Sequence, residues 1–145
     1  MRIRIVAVGR LKPRALRELA DGYLERVRRY LPCEEIELEA TGPKGLASRL
    51  AKACGGASVV ALDAAGEPLD SARFARKLEA LGCRGKGVVA FLLGGPDGLP
   101  GEVLARAPAR WSLSALTFPH RLARLVLAEQ LYRAMTILRG EPYAR

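Results

Sequence analysis

The hydrophobic and polar positions of the chain follow two periods, and the period changes at turn-forming residues. Residues 2–8 alternate charged and β-branched side chains and then become apolar, which predicts a strand ending at Gly9. Residues 15–30 place apolar side chains three and four positions apart, which predicts a helix. Pro13 suits the first position of that helix, and Pro32 stops it.

The remaining segments continue this alternation of strands and helices. Four further strands are predicted at residues 34–41, 57–63, 87–93 and 110–116. Four further helices are predicted at residues 43–54, 72–81, 99–107 and 119–138. Residues 64–69 are predicted as a turn, and Ser71 as the N-cap of the helix that follows it. The order favours the α/β class, with an open, mainly parallel sheet and helices on both faces. The length fits a single domain, residues 1–145.

Composition adds a strong basic excess to this picture. The net charge is +9, and most of the 24 basic residues are arginines, whose planar fork binds phosphate. A polyanionic partner, most simply nucleic acid, is therefore favoured, although a solvated basic surface would have the same composition. The chain has no apolar run long enough to span a membrane and no signal peptide, which predicts a cytoplasmic location. Its three cysteines lack metal-ligand spacing, so we expect reduced thiols and no metal.

Three strand ends are candidates for a ligand site, because open α/β sheets bind ligands beyond the carboxyl ends of their strands. They are Leu62-Asp63, Gly94–Gly98 and Leu116–His120. Paired glycines let a ligand approach the backbone, but this loop matches neither a dinucleotide fingerprint nor a P-loop. A plain strand-to-helix turn would use the same residues. His120, the only histidine, could be a general base, a hydrogen-bonding scaffold residue or a surface group.

The last predicted helix carries two apolar stripes. One contains Leu127, Leu131, Met135 and Leu138, and the other contains Leu122, Val126 and Ile137. One stripe is enough to pack the helix on its own sheet, so the second suggests a partner helix and a homodimer. A helix buried within its own domain would show the same pattern. Glu129 and Arg133 are spaced to form an ion pair along the helix.

Three segments together resemble a known family. They are Phe91-Leu-Leu-Gly-Gly-Pro-Asp-Gly-Leu99, Trp111-Ser-Leu-Ser-Ala-Leu-Thr-Phe-Pro-His120 and the pattern Arg124-x4-Glu129-Gln-x-Tyr-Arg-Ala134. The resemblance is to the RlmH type of the SPOUT, or trefoil-knot, methyltransferases, and it extends over nearly the whole chain. Members of this type methylate N3 of a pseudouridine in 23S rRNA.

The resemblance implies a C-terminal trefoil knot that holds S-adenosyl-L-methionine, and a homodimer whose RNA site is shared between subunits. It implies no metal and no separate RNA-binding domain. Matched by motif, the residues that would hold the cofactor are Leu62, Gly94, Gly95, Leu113, Ser114, Ala115, Leu116, Thr117 and Phe118.

The tail departs from the pattern of the family, which commonly has Pro-Tyr-His before a basic residue. Here Ala144 stands in the place of that histidine, so Tyr143, Arg145 and His120 become the candidates for handling the proton of the target nitrogen. The expected reaction is in-line attack by a uracil-ring nitrogen on the methyl group of the cofactor. The alternatives are a non-catalytic RNA-binding protein on the same scaffold and an enzyme that uses another nucleotide ligand. Candidate phosphate contacts are Arg4, Arg10, Arg14, Arg124 and Arg133.

Overall fold

A computed structural model describes residues 1–40 and 45–143, and strands alternate with helices along them. The strands are β1 (Arg2–Val8), β2 (Cys33–Leu38), β3 (Ser58–Pro68), β4 (Val88–Leu93) and β5 (Ala109–Ser112). The helices are α1 (Arg14–Arg28), α2 (Leu46–Cys54), α3 (Ser71–Gly82), α4 (Gly101–Arg106) and α5 (His120–Arg139). The start of the helix predicted from residue 43 lies outside the described residues.

All five strands run parallel, in the order β2-β1-β4-β3-β5. Strand β4 lies between β1 and β3, and every residue of it after Val88 is buried. An apolar run without alternation is what a central parallel strand requires, because helices cover both of its faces. The predicted α/β sheet is therefore confirmed, and its strands are parallel throughout.

Alternate side chains of the strands belong to two separate cores. On one face, Ile3, Ile5 and Phe91 pack with buried residues of α1, α3 and α5, such as Leu24 and Leu127. On the other face, Val6, Val8 and Leu92 pack with Leu50 of α2 and with Leu99, which precedes α4. The period of two along each strand thus divides the apolar residues between two helical layers.

An aromatic group marks the core beneath β5. Trp111, which is 2% exposed, meets the rings of Phe74 and Phe91 at centroid distances of 5.4 Å and 5.9 Å. Full burial of one such side chain contributes roughly 1.5–3 kcal/mol. This group therefore anchors the short strand from which the next loop departs.

The edge formed by β3 and β5 differs from the prediction. Residues 64–69 are not a simple turn, because β3 continues to Pro68 and pairs with Trp111 twice, through Leu62 and again through Glu67. Gly66 allows this return, since a Cβ there would lie 2.7 Å from the carbonyl carbon of Arg110. The prediction treated the small residues as a turn because their pairing depends on a distant strand.

Strand β5 is also shorter than predicted, since it ends at Ser112 rather than at residue 116. The hydroxyl of Ser112 donates to the Ser114 carbonyl at 2.9 Å, and the Leu116 amide donates to the Ser114 hydroxyl at 2.9 Å. Serine hydroxyls that bond nearby backbone groups compete with strand ladders. Residues 113–118 therefore form a loop.

The starts of two helices also need correction. Asp70, not Ser71, caps α3, because its carboxylate accepts a hydrogen bond from the Arg73 amide at 2.8 Å. The hydroxyl of Ser71 instead bonds Gln130 of α5. Pro13 precedes α1 as its N-cap residue, one position before the place predicted for it.

A buried ion-pair network joins three elements near the ends of the strands. Arg124 of α5 is 5% exposed and bonds the carboxylates of Glu35 and Glu37 on β2 at 2.8 Å and 2.7 Å. It also donates to the Gly9 carbonyl at 3.1 Å. Arg17 of α1 bonds the same two carboxylates. The network therefore fixes the first turns of α5 against β2 and the β1–α1 loop.

Candidate functional site

A cleft opens where the pairing of β3 with β4 ends, beside the start of α5. Adjacent parallel strands present their carboxyl ends at one edge of the sheet, so the loops after them converge there. The cleft has a volume of about 570 Å³. Its walls include Leu62, Asp63, Gly94, Gly95, Pro96, Asp97, Gly98, Leu104, Phe118, His120 and Ala123.

A smaller hollow of about 110 Å³ adjoins this cleft. It shares Leu62, Asp63 and Phe118 with the cleft and adds Leu113, Ser114 and Leu116. The loop after β5 thus faces the loop after β4 across a continuous surface.

The loop after β4 folds back tightly on itself. The Gly98 amide donates to the Gly95 carbonyl at 2.9 Å, and a Cβ on Gly94 would lie only 2.3 Å from the Gly98 carbonyl carbon. Gly94 therefore has no room for any side chain. Gly95 is different, because a Cβ there would meet only Val8, at 3.5 Å. The close return of the loop therefore requires a glycine at position 94, but it does not require one at position 95.

The loop after β5 presents unused backbone donors. Among the described residues, no hydrogen bond engages the amides of Ala115, Thr117 or Phe118. Buried or ligand-facing amides are strong obligatory donors. Of these three residues, Phe118 lines the cleft, so its amide can donate to a ligand there.

The charges lining the cleft are acidic. Asp63 and Asp97 contribute carboxylates, and no lysine or arginine lines it within the described part of the chain. Asp63 is partly engaged, because it accepts from the Ala65 amide at 3.3 Å and lies 3.8 Å from the Arg110 guanidinium. Carboxylates accept hydrogen bonds from hydroxyl groups and attract cations, whereas they repel phosphates.

Most of the predicted cofactor residues come together here. Seven of them line the cleft or its smaller neighbour: Leu62, Gly94, Gly95, Leu113, Ser114, Leu116 and Phe118. Ala115 and Thr117 belong to the same loop but are exposed and line neither hollow. His120, the first residue of α5, lines the cleft.

Tyr143 lies away from this cleft. Its ring meets Tyr132 at a centroid distance of 4.7 Å, and the Arg133 guanidinium lies 4.6 Å from the ring centre. Burial raises the pKa of Tyr143 to about 12, with the hydrogen bond to Tyr23 and the charge of Glu129 acting in the same direction. Its phenol is therefore protonated at neutral pH. Arg145, the other predicted tail residue, lies outside the described residues.

Four of the five arginines considered for phosphate binding form ion pairs, and one of them is Arg14, which pairs with Glu18 at 2.9 Å. Arg124 is buried between two carboxylates, so it is not available to RNA. Arg4 pairs with Glu34 and donates to the Cys54 carbonyl at 2.9 Å. Arg133 pairs with Glu129 at 2.7 Å, which confirms the predicted ion pair along the helix.

Several residues of the cleft were missed by reasoning from the sequence. Asp97 stands inside the glycine loop, and a carboxylate between glycines at a strand end was an available signal. Leu104 and Ala123 face the cleft from α4 and α5. No local pattern marked these two, because only the packing of their helices turns them toward the cleft.

Other kinds of site are not found in the described part of the chain. No three His, Cys, Asp or Glu side chains there are grouped to hold a metal. None of the described helices is long and apolar enough to cross a membrane. Cys33 and Cys54 are buried, Cys83 is exposed, and all three are free thiols.

Comparison with known proteins agrees with this geometry. A family model described as Predicted SPOUT methyltransferase matches residues 1–144. Ribosomal RNA large subunit methyltransferase H of Sorangium cellulosum is 60% identical over 144 residues, which cover 99% of each chain. The protein of the same name from Anaeromyxobacter dehalogenans (strain 2CP-1) is 48% identical over 153 residues, which cover 99% of each chain.

A solved structure shows the same fold at low sequence identity. A probable methylase family protein from Haemophilus influenzae Rd KW20 has a TM-score of 0.64 and 15% identity, with 99% of this chain and 70% of that chain covered. The family model matches residues 1–144, and the Sorangium cellulosum protein is 60% identical to this chain. The chain belongs to the SPOUT methyltransferase family.

Proposed function

We propose that this protein uses S-adenosylmethionine to methylate N3 of a pseudouridine in the 23S rRNA of the large ribosomal subunit. The observation that carries the proposal is the meeting of two backbone-rich loops, Gly94–Gly98 and residues 113–118, across one cleft. The relatives named as large-subunit rRNA methyltransferases support the RNA substrate. The choice of N3 of pseudouridine rests on the resemblance to the RlmH type.

The properties of the cleft fit this cofactor better than a nucleotide phosphate. Its volume of about 570 Å³ lies within the roughly 300–1,000 Å³ typical of ligand pockets. S-adenosylmethionine has a positively charged sulfur and ribose hydroxyls but no phosphate, so Asp63 and Asp97 favour it. A nucleoside triphosphate would meet the same carboxylates, and no arginine or lysine among the described lining residues would neutralise its charge. This contrast argues against an enzyme that uses a phosphorylated nucleotide as its ligand.

The two loops would make different contacts with the ligand. The Phe118 amide is available to hydrogen-bond the ligand, and Leu62 with the Phe118 ring provides apolar cover. Gly94 and Gly95 line the opposite wall and present backbone without side chains. When bound there, S-adenosylmethionine supplies a methyl group already activated by its sulfonium. The protein then contributes mainly by aligning the reactants, an effect worth up to roughly 7–11 kcal/mol.

The target nitrogen must lose its proton, and the candidates for this step lie far apart within one chain. Tyr143 packs on Tyr132 and Arg133, which are 12 and 13 residues along α5 from His120. At 1.5 Å per residue this corresponds to roughly 18–20 Å. The phenol of Tyr143, with a pKa of about 12, would act as a hydrogen-bond donor rather than as a base.

A homodimer resolves this separation, because the tail of one subunit can complete the cleft of the other. Apolar residues on α1 and α5 support such an interface: Leu19 is 54% exposed, and Leu122 and Ile137 are each 41% exposed. The last two belong to the second apolar stripe of α5. Isolated exposed apolar residues are common on monomers, but a stripe on packed neighbouring helices indicates a protein interface.

Three further parts of the proposal follow from the resemblance and the RNA substrate. We expect the C-terminal third to be threaded as a trefoil knot. We expect residues 1–145 to act as one domain. We expect the protein to work in the cytoplasm, where ribosomes are found.

The decisive experiment is to map rRNA modification by mass spectrometry in a strain that lacks this protein. One nucleotide of 23S rRNA should lose a methyl group, and purified protein with S-adenosylmethionine should restore it on isolated ribosomes. Calorimetry with S-adenosylmethionine separates this function from the alternative of a non-catalytic RNA-binding protein. That alternative predicts rRNA binding without cofactor binding, and an unchanged methylation map would support it.

A further inference from the structure

Exposed basic side chains lie along the edge of the sheet that is away from the cleft. Because all strands are parallel, their amino ends lie at one edge, opposite the edge that carries the cleft. Six exposed basic residues lie along the amino edge, at the starts of strands or the ends of helices. We call them the basal surface: Arg2, Arg28, Arg29, Lys52, Arg84 and Lys86.

Backbone contacts bring the members of the basal surface together. The Arg2 amide donates to the Gly87 carbonyl at 2.7 Å, and the Gly87 amide donates to the Arg84 carbonyl at 2.9 Å. Lys86 extends toward Gly56, where its Nζ would lie 3.8 Å from an added Cβ. Gly56 closely follows α2, whose last turn carries Lys52. The start of β1, the α3–β4 loop and the end of α2 are thus neighbours.

A hollow of about 360 Å³ continues this surface beneath β1 and β2. Arg2 and Arg28 line it, together with Arg4 and Glu34. Arg28 is held in place because its Nε donates to the Cys33 carbonyl at 2.8 Å. Its terminal nitrogens make no ion pair with any described residue.

The basic residues of the two edges differ in their partners. None of the six basal residues forms an ion pair with a carboxylate of the described chain. The carboxylate beside them, that of Glu34, is already paired with Arg4. Near the cleft edge, Arg17 and Arg124 are paired with Glu35 and Glu37, whereas Arg10, Lys12 and Arg121 are exposed and form no ion pair with a described carboxylate. Unneutralised positive charge is therefore present at both edges, and the amino edge carries the six residues of the basal surface.

Helix geometry explains only part of this arrangement. Cations are stabilised near helix C-termini by roughly 0.3–1 kcal/mol, which accounts for Arg28 and Lys52. It does not account for Arg2 and Lys86, which stand at the starts of β1 and β4. A row of arginines and lysines without partners is the footprint expected for a polyanion.

We propose that the basal surface binds phosphates of the rRNA at a distance from the nucleotide that is methylated. This inference rests on the proposed function, since it assumes an RNA substrate. Strand β1 has seven residues, so the two edges lie roughly 23 Å apart. One nucleotide cannot reach both edges, and the protein therefore contacts two separated parts of a folded RNA. Such phosphate contacts supply affinity and orientation but no sequence preference.

The test is a charge-neutralising pair in the α3–β4 loop, Arg84→Gln with Lys86→Gln. Its matched control is Arg73→Gln with Lys77→Gln, which removes one arginine and one lysine of α3 that are both paired with Glu67. Binding to purified large ribosomal subunits and to their extracted rRNA is measured across a series of salt concentrations. Calorimetry with S-adenosylmethionine and methylation at saturating RNA are measured for each protein.

The basal pair should bind RNA more weakly than the parent protein. The slope of log affinity against log salt concentration is negative, and its magnitude should decrease by about one for each phosphate that the variant no longer binds. The decrease should therefore be up to about two. Cofactor affinity and the rate at saturating RNA should be unchanged, and the control pair should keep the parent slope. A basal pair with the affinity and slope of the parent would overturn the inference. If the parent protein neither binds S-adenosylmethionine nor methylates rRNA, the proposed function fails, while the salt slopes still decide the basal surface separately.

Discussion

Replacing Gly94 with alanine tests both the loop geometry and the cofactor site. The new Cβ would lie 2.3 Å from the Gly98 carbonyl carbon and 2.5 Å from the Leu99 amide nitrogen. Ordinary contacts begin at 3.4 Å, so the Gly98–Leu99 peptide must move by about 1 Å. The obstacle is backbone, which cannot rotate away as a flexible side chain can. The loop must therefore open.

The expected loss of stability follows from this displacement. Forcing one extra carbon into a close-packed site costs roughly 1–3 kcal/mol. For a chain of this size, each kcal/mol lowers Tm by roughly 2–4 °C, so we expect a fall of about 2–12 °C. A shift of about 1 Å at a binding site can cost on the order of 100-fold in activity. We expect S-adenosylmethionine affinity to fall by a similar factor.

Gly95→Ala is the matched control, because the added methyl group is the same and its surroundings are not. Its Cβ would meet Val8 at 3.5 Å, which is an ordinary contact. The Tm should therefore stay within the few degrees expected for about 0.4–1 kcal/mol, and cofactor affinity should stay near that of the parent, because the methyl group points at Val8, which does not line the cleft. Thermal melting and calorimetry together make the comparison. A Gly94→Ala protein with the parent Tm would refute the loop geometry, and parent affinity in that variant would refute the position of the cofactor.

Three other predictions concern the core network, the dimer and the thiols. Arg124→Met should destabilise the fold by about 3 kcal/mol, because it removes the buried guanidinium from Glu35 and Glu37 and leaves only Arg17 to pair with them. Burial alone would raise the pKa of Glu37, but its bond to Arg124 holds that pKa below the ordinary value of 4.5. The contribution of Glu37 to stability is therefore complete above pH 4.5 and is lost as the pH falls through the lower folded pKa. Chemical denaturation should show the free energies of unfolding of the parent and the variant converging in acid, and a pH-independent difference would contradict this. Ile137→Glu should shift the molecular mass measured by light scattering from dimer toward monomer, and a stable dimer would exclude that face as the interface. Iodoacetamide at pH 8 should label exposed Cys83 and spare Cys33, whose pKa burial raises to about 11; mass spectrometry showing equal labelling of the native protein would contradict the described packing.

The sequence predicted those parts of the fold that local patterns control. The apolar run Val88–Leu93 identified the central strand, because a strand covered on both faces has no polar side to show. The paired glycines after it identified one wall of the cleft for a similar reason, since a loop that returns so closely excludes side chains.

Parts set by contacts between distant segments were not predictable. The continuation of β3 to Pro68 depends on Trp111, and Gly66 looked like a turn residue until that strand lay beside it. Arg124 was interpreted as a surface phosphate contact because it is charged. Its burial depends on Glu35 and Glu37, which stand on β2 and are far from Arg124 in the sequence.

The position of Tyr143 shows the same limit at the level of the site. The resemblance to the family made Tyr143 and His120 alternative candidates for handling one proton. The helix itself separates them, since they lie toward opposite ends of its 20 residues. A sequence pattern can name the residues of a shared site, but it does not say which subunit contributes each of them.

The single tryptophan gives this protein an internal optical probe. Trp111 is packed against Phe74 and Phe91, and Lys77 lies 5.9 Å from its ring centre. It stands two residues before the loop at 113–118, so movement of that loop changes the surroundings of the indole. Its fluorescence emission should therefore respond when a ligand fills the cleft. The kinetics of ligand binding can therefore be followed in the unmodified protein, with no attached dye.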